Sequence, residues 1–400
     1  MSVYKMLDGN AAAVEAMKMA RVKVIAAYPI TPQSSISEML ADLVEGGELD
    51  AKYIRVESEH SAMSCVLGAQ ATGVRAATAT SSVGLALMHE ILNSASGTRQ
   101  PIVMPVVNRA LASPWSLWCD HQDAMAERDS GWMQFYCENV QDVFDSILMA
   151  YRVAEHRDVL TPAMVCLDGF FLSHSMQKLV IPTQEEVDAF LGEFHLVNTF
   201  LDTETPMVMN TLTPSDEYGE MRYQQAMGME KAKEVMDQVY LDFEETFGRR
   251  HRAVEGHMLE DAETVIVAIG SMAGTAKFVV NKLREQGQKV GALKISSFRP
   301  FRNELVCEML SGAKKVAVLD RSSGLGAAGA PLYLEVKEAL EGSGIYIKDY
   351  IAGLGGRDIS IATIEAVFDD ITNDKTAGVN PLWIDLKDNA MEIRRVSDCV

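Results

Sequence analysis

Two polar side chains, Thr31 and Arg109, each follow a short apolar run that is typical of a β-strand, at residues 24–27 and 102–107. Parallel strands end at one edge of their sheet, where ligands bind, so we expect these two side chains to meet there. The guanidinium of arginine suits bidentate binding of a carboxylate. The pair therefore predicts a receptor for a carboxylate substrate. A loop that merely needs stiffness at Thr31, and a surface position for Arg109, are the alternatives.

The stretch around Thr31 places this residue between Pro29 and Pro32. Proline fixes its own φ angle and restricts the residue before it, so Ile30 and Thr31 are expected to be held rigidly. Apolar residues at helical spacing follow, which predicts a helix. The order is therefore strand, rigid turn and helix.

Glu59 is a third candidate for chemistry, because it follows a predicted strand at residues 53–56 and begins a segment rich in small residues. A carboxylate at a helix N-terminus is stabilised by the helix dipole. An exposed acidic pair formed with Glu57 is the usual alternative. We predict no metal site in this chain, because its histidines are scattered without the spacing of metal ligands.

Strand-like and helix-like segments alternate along most of the chain, which predicts the α/β class with a parallel, doubly wound sheet. We expect a first domain at residues 1–255 and a smaller α/β domain at residues 256–400. The segment at about 183–257 lacks clear strand patterns and is expected to be a connection that wraps the first domain or a partner. Asn10 is predicted to cap the first helix. Residues 270–274 are expected to form a tight turn rather than a nucleotide-binding loop.

Composition excludes several classes of function. The formal net charge of −20 argues against binding to nucleic acid and to anionic membrane surfaces. No apolar run approaches the roughly 20 residues of a membrane helix, and no signal peptide is recognised. None of the six cysteines forms a C-x-x-C pair. We therefore expect a reducing, cytoplasmic setting, with neither disulfides nor an iron–sulfur cluster in this chain.

A set of motifs carries a resemblance that runs along nearly the whole chain. The motifs are YPITPQS at 28–34, ESEH at 57–60, TSSVGL at 80–85, NRAL at 108–111, DHQD at 120–123, RDSGW at 128–132, CLDGF at 166–170 and GLGGRDI at 353–359. Together they resemble the alpha chain of the multi-subunit pyruvate:ferredoxin oxidoreductases, which belong to the 2-oxoacid:ferredoxin oxidoreductases.

The resemblance implies a pyrimidine-side thiamine diphosphate domain followed by a transketolase C-terminal-like domain. It implies oxidation of pyruvate with CoA to acetyl-CoA and CO₂, with reduction of ferredoxin. Glu59 matches the residue that binds and activates the aminopyrimidine of thiamine, and Thr31 and Arg109 match the residues that bind the carboxylate of pyruvate. The further cofactor-binding positions are Pro29, Ile30 and Ser82.

The resemblance also implies partner chains, because the diphosphate-binding motif is not evident here. The sequence LDG at 167–169 matches only a small part of that motif. A beta chain would bind the diphosphate, Mg²⁺ and one [4Fe–4S] cluster, a delta chain would carry further clusters, and a gamma chain would complete the set. Val83 departs from the polar glutamine expected in TSSxGL. The alternatives are a relative for branched or larger 2-oxoacids, a transketolase-type subunit without redox chemistry, and a non-catalytic scaffold.

Overall fold

A computed structural model describes residues 3–197, 201–373, 380–387 and 390 of the chain. Its strands are β1 (Val3–Leu7), β2 (Val24–Ala27), β3 (Lys52–Arg55), β4 (Ala76–Ala77), β5 (Val103–Asn108), β6 (Met133–Tyr136), β7 (Ala163–Asp168), β8 (Gln177–Ile181), β9 (Val254–His257), β10 (Thr264–Ala268), β11 (Val290–Ile295), β12 (Ser297–Arg299), β13 (Lys315–Asp320), β14 (Tyr346–Ile351) and β15 (Leu382–Trp383). Its α-helices are α1 (Gly9–Met19), α2 (Ser34–Glu45), α3 (Glu59–Gln70), α4 (Ser82–Leu87), α5 (His89–Gly97), α6 (Gln122–Ala126), α7 (Val140–Ala154), α8 (Gln184–Leu191), α9 (Tyr218–Phe247), α10 (Met272–Glu285), α11 (Asn303–Leu310), α12 (Pro331–Ala339) and α13 (Ile361–Asn373).

Parallel strands of the first half form the sheet that carries the candidate site. Strands β3, β2 and β4 pair in that order, as do β5, β7 and β6. A parallel bridge between Thr80 and Val106 joins the two groups. Every residue of β5 and β7 is buried, as expected for central strands that helices cover on both faces. The predicted α/β class with a parallel sheet is confirmed.

The second half forms a separate sheet in the order β15-β14-β13-β10-β11-β9, in which only β9 runs antiparallel to its neighbour among the described strands. The chain continues from β10 to β11 on one side and then returns to β13 on the other side. Such a reversal opens a crevice between the ends of β10 and β13, which is where doubly wound sheets bind ligands.

Backbone pairing and buried charges join the two halves. Strand β12 follows the second sheet's β11 in sequence, yet it pairs antiparallel with β6 of the first sheet. Buried Lys294 on β11 lies 2.9 Å from Asp142 and 3.2 Å from Glu138 of the first half. Burial alone would lower the pKa of Lys294, but the surrounding carboxylates raise it well above its usual range. The halves are therefore docked through specific charge pairs.

The connection between the halves, at about residues 183–257, forms two helices that pack against the first half. Helix α8 begins with a capping box formed by Thr183 and Glu186. Residues 201–217 are largely exposed and contain no helix or strand. Helix α9 begins at Tyr218, packs against α5, α7 and α8, and ends at Gly248 in the left-handed conformation. No helix in the described residues is long and apolar enough to cross a membrane.

The prediction that Asn10 caps the first helix was wrong. Asp8 is the cap, and its carboxylate accepts a hydrogen bond from the Ala11 amide at 2.8 Å. Asn10 is the second residue of the helix and is fully buried. Its side chain is therefore free to bind another segment, which the site below uses.

Candidate active site

Thr31 lies exposed in the turn between β2 and α2. The side-chain amide of Asn10 fixes this turn. Its Nδ2 donates to the Pro32 carbonyl at 2.8 Å and to the Ser35 hydroxyl at 2.7 Å. On the other side, a Cβ atom at Gly169 would lie only 2.9 Å from the ring of Pro32. Close packing on both sides therefore holds Thr31 at the edge of the sheet.

Arg109 follows β5 and directs its guanidinium towards Thr31. Nη1 donates to the Thr31 carbonyl oxygen at 2.8 Å, and Nε donates to the Ser116 carbonyl oxygen at 3.1 Å. Strands β2 and β5 are not neighbours, because β4 lies between them. The long side chain of Arg109 spans this gap and reaches Thr31. The structure thus places Thr31 and Arg109 at one point, while their roles stay a prediction.

Arg109 is buried and forms no direct ion pair within the described residues. The residue is 5% exposed and forms no ion pair with any residue that the structure describes. Burial lowers the pKa of Arg109, and the negative charge of Asp123 opposes this decrease. A guanidinium nonetheless stays protonated in proteins, and it has five N–H donors, more than the two carbonyls use. A buried, unpaired cation of this kind favours binding of an anion.

Asp123 connects the ends of several strands to this arginine. Its Oδ2 accepts hydrogen bonds from the backbone amides of Ser82 at 2.9 Å and Arg109 at 3.0 Å. Its Oδ1 accepts one from the Asn108 side chain at 2.9 Å. Burial raises the pKa of Asp123 to about 6, although these hydrogen bonds favour the charged form. Asp123 therefore sets the backbone position of Arg109.

Glu59 begins α3 immediately after its N-cap Ser58. The residue is 6% exposed, and its carboxylate makes no hydrogen bond within the described part of the chain. A Cβ atom at Gly84 would lie 2.6 Å from Glu59 Oε1 and 2.7 Å from the Thr80 hydroxyl, which is buried and also lacks a partner among the described residues. Glycine at position 84 therefore lets the Glu59 carboxylate and the Thr80 hydroxyl lie close against the backbone of α4, and a ligand with an N–H donor would satisfy the carboxylate.

The other predicted cofactor positions surround this edge less directly. Ser82 is fully buried, and its hydroxyl donates to the Ala110 carbonyl at 2.5 Å, so it fixes the segment after Arg109. Pro29 is exposed and Ile30 is partly exposed in the turn before Thr31. Direct contact of these residues with a cofactor stays a prediction.

Asp168 is held by three side chains at the end of β7. His121 Nε2 lies 2.7 Å from Oδ1, Arg321 donates to Oδ2 at 2.8 Å, and the Ser271 hydroxyl donates to the same oxygen. Burial alone would raise the pKa of Asp168, but His121 and Arg321 lower it below its usual range. Cys119, His121 and Asp168 could in principle hold a metal ion, but Arg321 already supplies the positive charge there.

Two family models match the chain. One is described as "Pyruvate flavodoxin/ferredoxin oxidoreductase, thiamine diP-bdg" and matches residues 15–240, and the other as "Pyruvate:ferredoxin oxidoreductase core domain II" and matches residues 262–364. The chain belongs to the pyruvate:ferredoxin oxidoreductase family. The resemblance inferred from the sequence motifs is confirmed.

Relatives within this family are similar over nearly their whole length. The chain is 49% identical over 388 residues to the pyruvate synthase subunit PorA of Methanothermobacter thermautotrophicus, covering 97% of this chain and 100% of the relative. It is 46% identical over 372 residues to the ketoisovalerate oxidoreductase subunit VorA of Pyrococcus horikoshii, covering 92% and 93%. The chain is thus an alpha subunit of a multi-subunit oxidoreductase of this family.

A solved structure supports the fold. The 2-oxoglutarate:ferredoxin oxidoreductase from Magnetococcus marinus, with 2-oxoglutarate, coenzyme A and succinyl-CoA bound, matches with a TM-score of 0.70 at 20% sequence identity. The match covers 92% of this chain and 65% of that chain. At this identity the similarity shows the shared architecture alone.

Sequence reasoning missed the residues that position the site. Asp123 and Asp168 entered only as letters of the DHQD and CLDGF motifs, and Asn10 was assigned to a helix cap. One signal was present: the DHQD motif lies in the irregular segment after Arg109, and its polar side chains can pair with the buried backbone groups of that strand end. Their actual partners lie far away in sequence, and local patterns do not reveal them.

Proposed function

We propose that this chain is the subunit of a pyruvate:ferredoxin oxidoreductase that binds the carboxylate of pyruvate and activates the pyrimidine of thiamine diphosphate. In the complete enzyme, pyruvate and CoA yield acetyl-CoA and CO₂, and the released electrons reduce ferredoxin. One observation carries the proposal: Arg109 is buried, its guanidinium lies beside Thr31, and it forms no ion pair with any described residue.

Arg109 and Thr31 act on the substrate before any bond is broken. Arg109 pairs with the carboxylate, and burial strengthens this charge pair relative to water. The Thr31 hydroxyl adds a neutral hydrogen bond from a turn that Asn10 holds in place. The pair thereby orients the keto carbon. CO₂ is neutral, so the same receptor does not retain this product.

Glu59 fits the pyrimidine ring of the cofactor. Thiamine diphosphate, when bound, supplies the carbanion that adds to the keto carbon and the electron sink for decarboxylation. The carboxylate of Glu59, which makes no hydrogen bond with the described residues, matches a ring nitrogen, N1′, that can share a proton with it. The absence of a side chain at Gly84 lets this carboxylate lie close against the backbone of α4. We assign Pro29, Ile30 and Ser82 to the same cofactor-facing edge.

We propose that partner chains supply the rest of the enzyme. A beta chain would bind the diphosphate, Mg²⁺ and one [4Fe–4S] cluster, a delta chain would carry further clusters, and a gamma chain would complete the complex. The carboxylate of Asp168 in the LDG sequence is already bound by His121 and Arg321, which supports a Mg²⁺ site outside this chain. The cysteine spacing supports clusters outside this chain and a cytoplasmic location.

We also propose a division into domains at residues 1–255 and 256–400. The first is the pyrimidine-side thiamine diphosphate domain with its connection, and the second is the transketolase C-terminal-like domain. The pairing of β9 with β11 supports a boundary near this position, because β9, which spans Val254–His257, is the first described strand of the second sheet along the chain.

Ketoisovalerate is the second candidate substrate. The VorA relative is 46% identical to this chain, close to the 49% of the PorA relative, so overall identity separates the two substrates weakly. Both are monocarboxylates with an apolar side group, and both match a receptor that has one cation. The segment after Arg109, Ala110 to Pro114, adds no second cation. A second carboxylate, as in 2-oxoglutarate, would be desolvated without a counter-charge.

The test is the substrate range of the complex purified with its native partner chains. We expect kcat/KM to be highest for pyruvate, lower for ketoisovalerate and lowest for 2-oxoglutarate, with ferredoxin reduction as the readout. A higher value for ketoisovalerate than for pyruvate would establish the second candidate. A preference for 2-oxoglutarate would contradict a receptor with a single cation.

A further inference from the structure

The crevice of the second sheet, which is the usual ligand position of a doubly wound fold, holds a side chain of the first domain. Ser271 follows β10 and Arg321 follows β13, so they flank the crevice between these strands. Asp168 of the first domain enters from outside and accepts the Ser271 amide at 3.2 Å, the Ser271 hydroxyl, and Arg321 Nη1 at 2.8 Å. Anions bind at such helix N-termini in ligand-binding relatives of this architecture. Here the bound anion is a carboxylate of the protein itself.

Arg321 is a fixed cation. Its Nε donates to the Gly353 carbonyl at 3.3 Å, and its Nη2 donates to the Arg357 carbonyl at 3.2 Å. The guanidinium carbon also lies 4.3 Å from the centre of the Phe171 ring. These contacts use the loop after β14 and the segment after β7, and the residue is almost completely buried. The two carbonyls belong to the second domain and hold the guanidinium in place there, so Arg321 defines where the Asp168 carboxylate lies.

Asp168 is connected to the substrate receptor through the backbone of the first sheet. It pairs with Asn108 in the register of β5 and β7, and the amide of Gly169 donates to the Asn108 carbonyl at 3.1 Å. Asn108 immediately precedes Arg109. The position of Asp168 thus sets the end of the strand that presents Arg109.

A second connection runs through the DHQD segment. His121 lies 2.7 Å from Asp168 through Nε2, and its backbone amide donates to the Arg321 carbonyl at 2.9 Å. In the same segment, Asp123 accepts the amide of Arg109 at 3.0 Å. The second domain therefore fixes one end of this segment, and the other end fixes Arg109.

We propose that the second domain is a positioning module for the substrate receptor, in which Ser271 and Arg321 hold Asp168 and His121 and thereby set the position of Arg109. The inference rests on the proposed function, since it takes Arg109 as the group that binds the 2-oxoacid carboxylate. Ser271 and Arg321 are positioning residues, because neither contacts the receptor directly. Bidentate carboxylate binding is sensitive to small displacements, so the loss of this support weakens substrate binding before it affects later steps.

The experiment uses the complete complex and separates KM from kcat. Ser271→Ala removes the hydroxyl donor to Asp168, and we expect KM for pyruvate to rise about tenfold, below the ~10²-fold effect that a 1 Å misplacement can have. We expect KM for CoA and kcat to change less than twofold. Ser271→Thr retains the hydroxyl and should restore KM for pyruvate. Arg321→Lys keeps the charge but loses the hydrogen bonds to the two carbonyls. It should raise KM for pyruvate as Ser271→Ala does.

The matched control is Lys277→Met, which removes another contact between the domains, the 2.7 Å ion pair of Lys277 with Glu138. This variant should leave KM for pyruvate unchanged, whatever its effect on Tm. If Ser271→Ala and Arg321→Lys change only Tm, as the control does, while Arg109→Ala raises KM, the positioning role is wrong and the proposed function stands. If Arg109→Ala itself leaves KM for pyruvate unchanged, the proposed function fails and this inference fails with it.

Discussion

Arg109 and Glu59 are buried side chains of opposite charge, and neither has an ionic partner in the part of the chain that the structure describes. Burying an unpaired charge costs free energy of folding, so such groups occur mainly where a ligand completes them. Both residues follow strands of the same parallel sheet and lie at its C-terminal edge. Under the proposed function, the two charges are two parts of one site, an anion receptor and a group that binds an N–H donor.

Glu59→Gln tests the second of these parts. An amide cannot share a proton with a ring nitrogen as a carboxylate does, and positioned acid–base groups commonly contribute about 10²–10⁴-fold. We expect turnover of the complex to fall by that order while gel filtration shows normal assembly. Glu57→Gln is the matched control, because Glu57 is exposed and lies two positions earlier. Near-normal turnover of Glu59→Gln, or a larger loss in Glu57→Gln, would show that the wrong carboxylate has been assigned.

Among the elements, α7 binds the end of the connection between the two domains through its first turns. His251, which lies between α9 and β9, is 3.1 Å from Asp142 and 3.0 Å from Asp145 on this helix. Arg249 adds a bidentate pair with Asp145, with both bonds at 2.7 Å. Burial alone would lower the pKa of His251, but hydrogen bonds to Asp142 and Asp145 raise it to about 9. The charged imidazole is therefore part of the connection at neutral pH.

This pKa makes the stability of the connection pH-dependent. A histidine whose pKa rises on folding, here from 6.5 to about 9, contributes stability that is complete below 6.5 and is lost as pH rises through about 9. We expect Tm of the wild-type protein to fall over this interval by more than Tm of His251→Gln, whose amide does not titrate. Calorimetry at both ends of the interval, on both proteins, is the measurement. An equal fall in the two proteins would contradict the assignment.

The elements also show what the sequence could predict. The apolar runs of β5 and β7 predict buried parallel strands, and the prolines around Thr31 predict a rigid turn, because these signals are local. The role of Asn10 was missed because its partner Pro32 belongs to a different element. The contact of Arg321 with Asp168 was missed for the same reason, since it joins two domains. Local periodicity specifies elements, whereas the residues that position the site depend on their packing.

At the scale of the molecule, the proposed site lies at an edge of the chain that carries exposed apolar side chains. The loop after Arg109 carries Trp115, which is 78% exposed, and Trp118, which is 54% exposed. Val83, which precedes Gly84 in the chain, is also exposed. Apolar groups of this size at the edge of a site are typical of surfaces that a partner covers. Their position supports a beta chain that completes the cofactor site.

The chain purified without partners should therefore bind neither iron nor thiamine diphosphate tightly. The cysteines lack cluster spacing, and the carboxylate of Asp168 is occupied by Arg321. Iron analysis and calorimetric titration with thiamine diphosphate and Mg²⁺ are the measurements, and the complex with partner chains is the positive control. Stoichiometric iron, or cofactor that stays bound through gel filtration of the single chain, would contradict the assignment of these groups to partner chains.

The central claim is that Arg109 binds the carboxylate of the substrate, and kcat/KM for pyruvate of the Arg109→Ala complex tests it most directly. We expect kcat/KM for pyruvate to fall by an amount equivalent to about 2–5 kcal/mol of activation free energy, as for truncating one partner of a buried charge pair. Thr31→Val removes one neutral hydrogen bond and should cost on the order of 1 kcal/mol. Arg157→Ala removes the same charge from a side chain that is 82% exposed and should have no effect. A smaller loss in Arg109→Ala than in Thr31→Val, or a loss no larger than that in Arg157→Ala, would show that the carboxylate binds elsewhere.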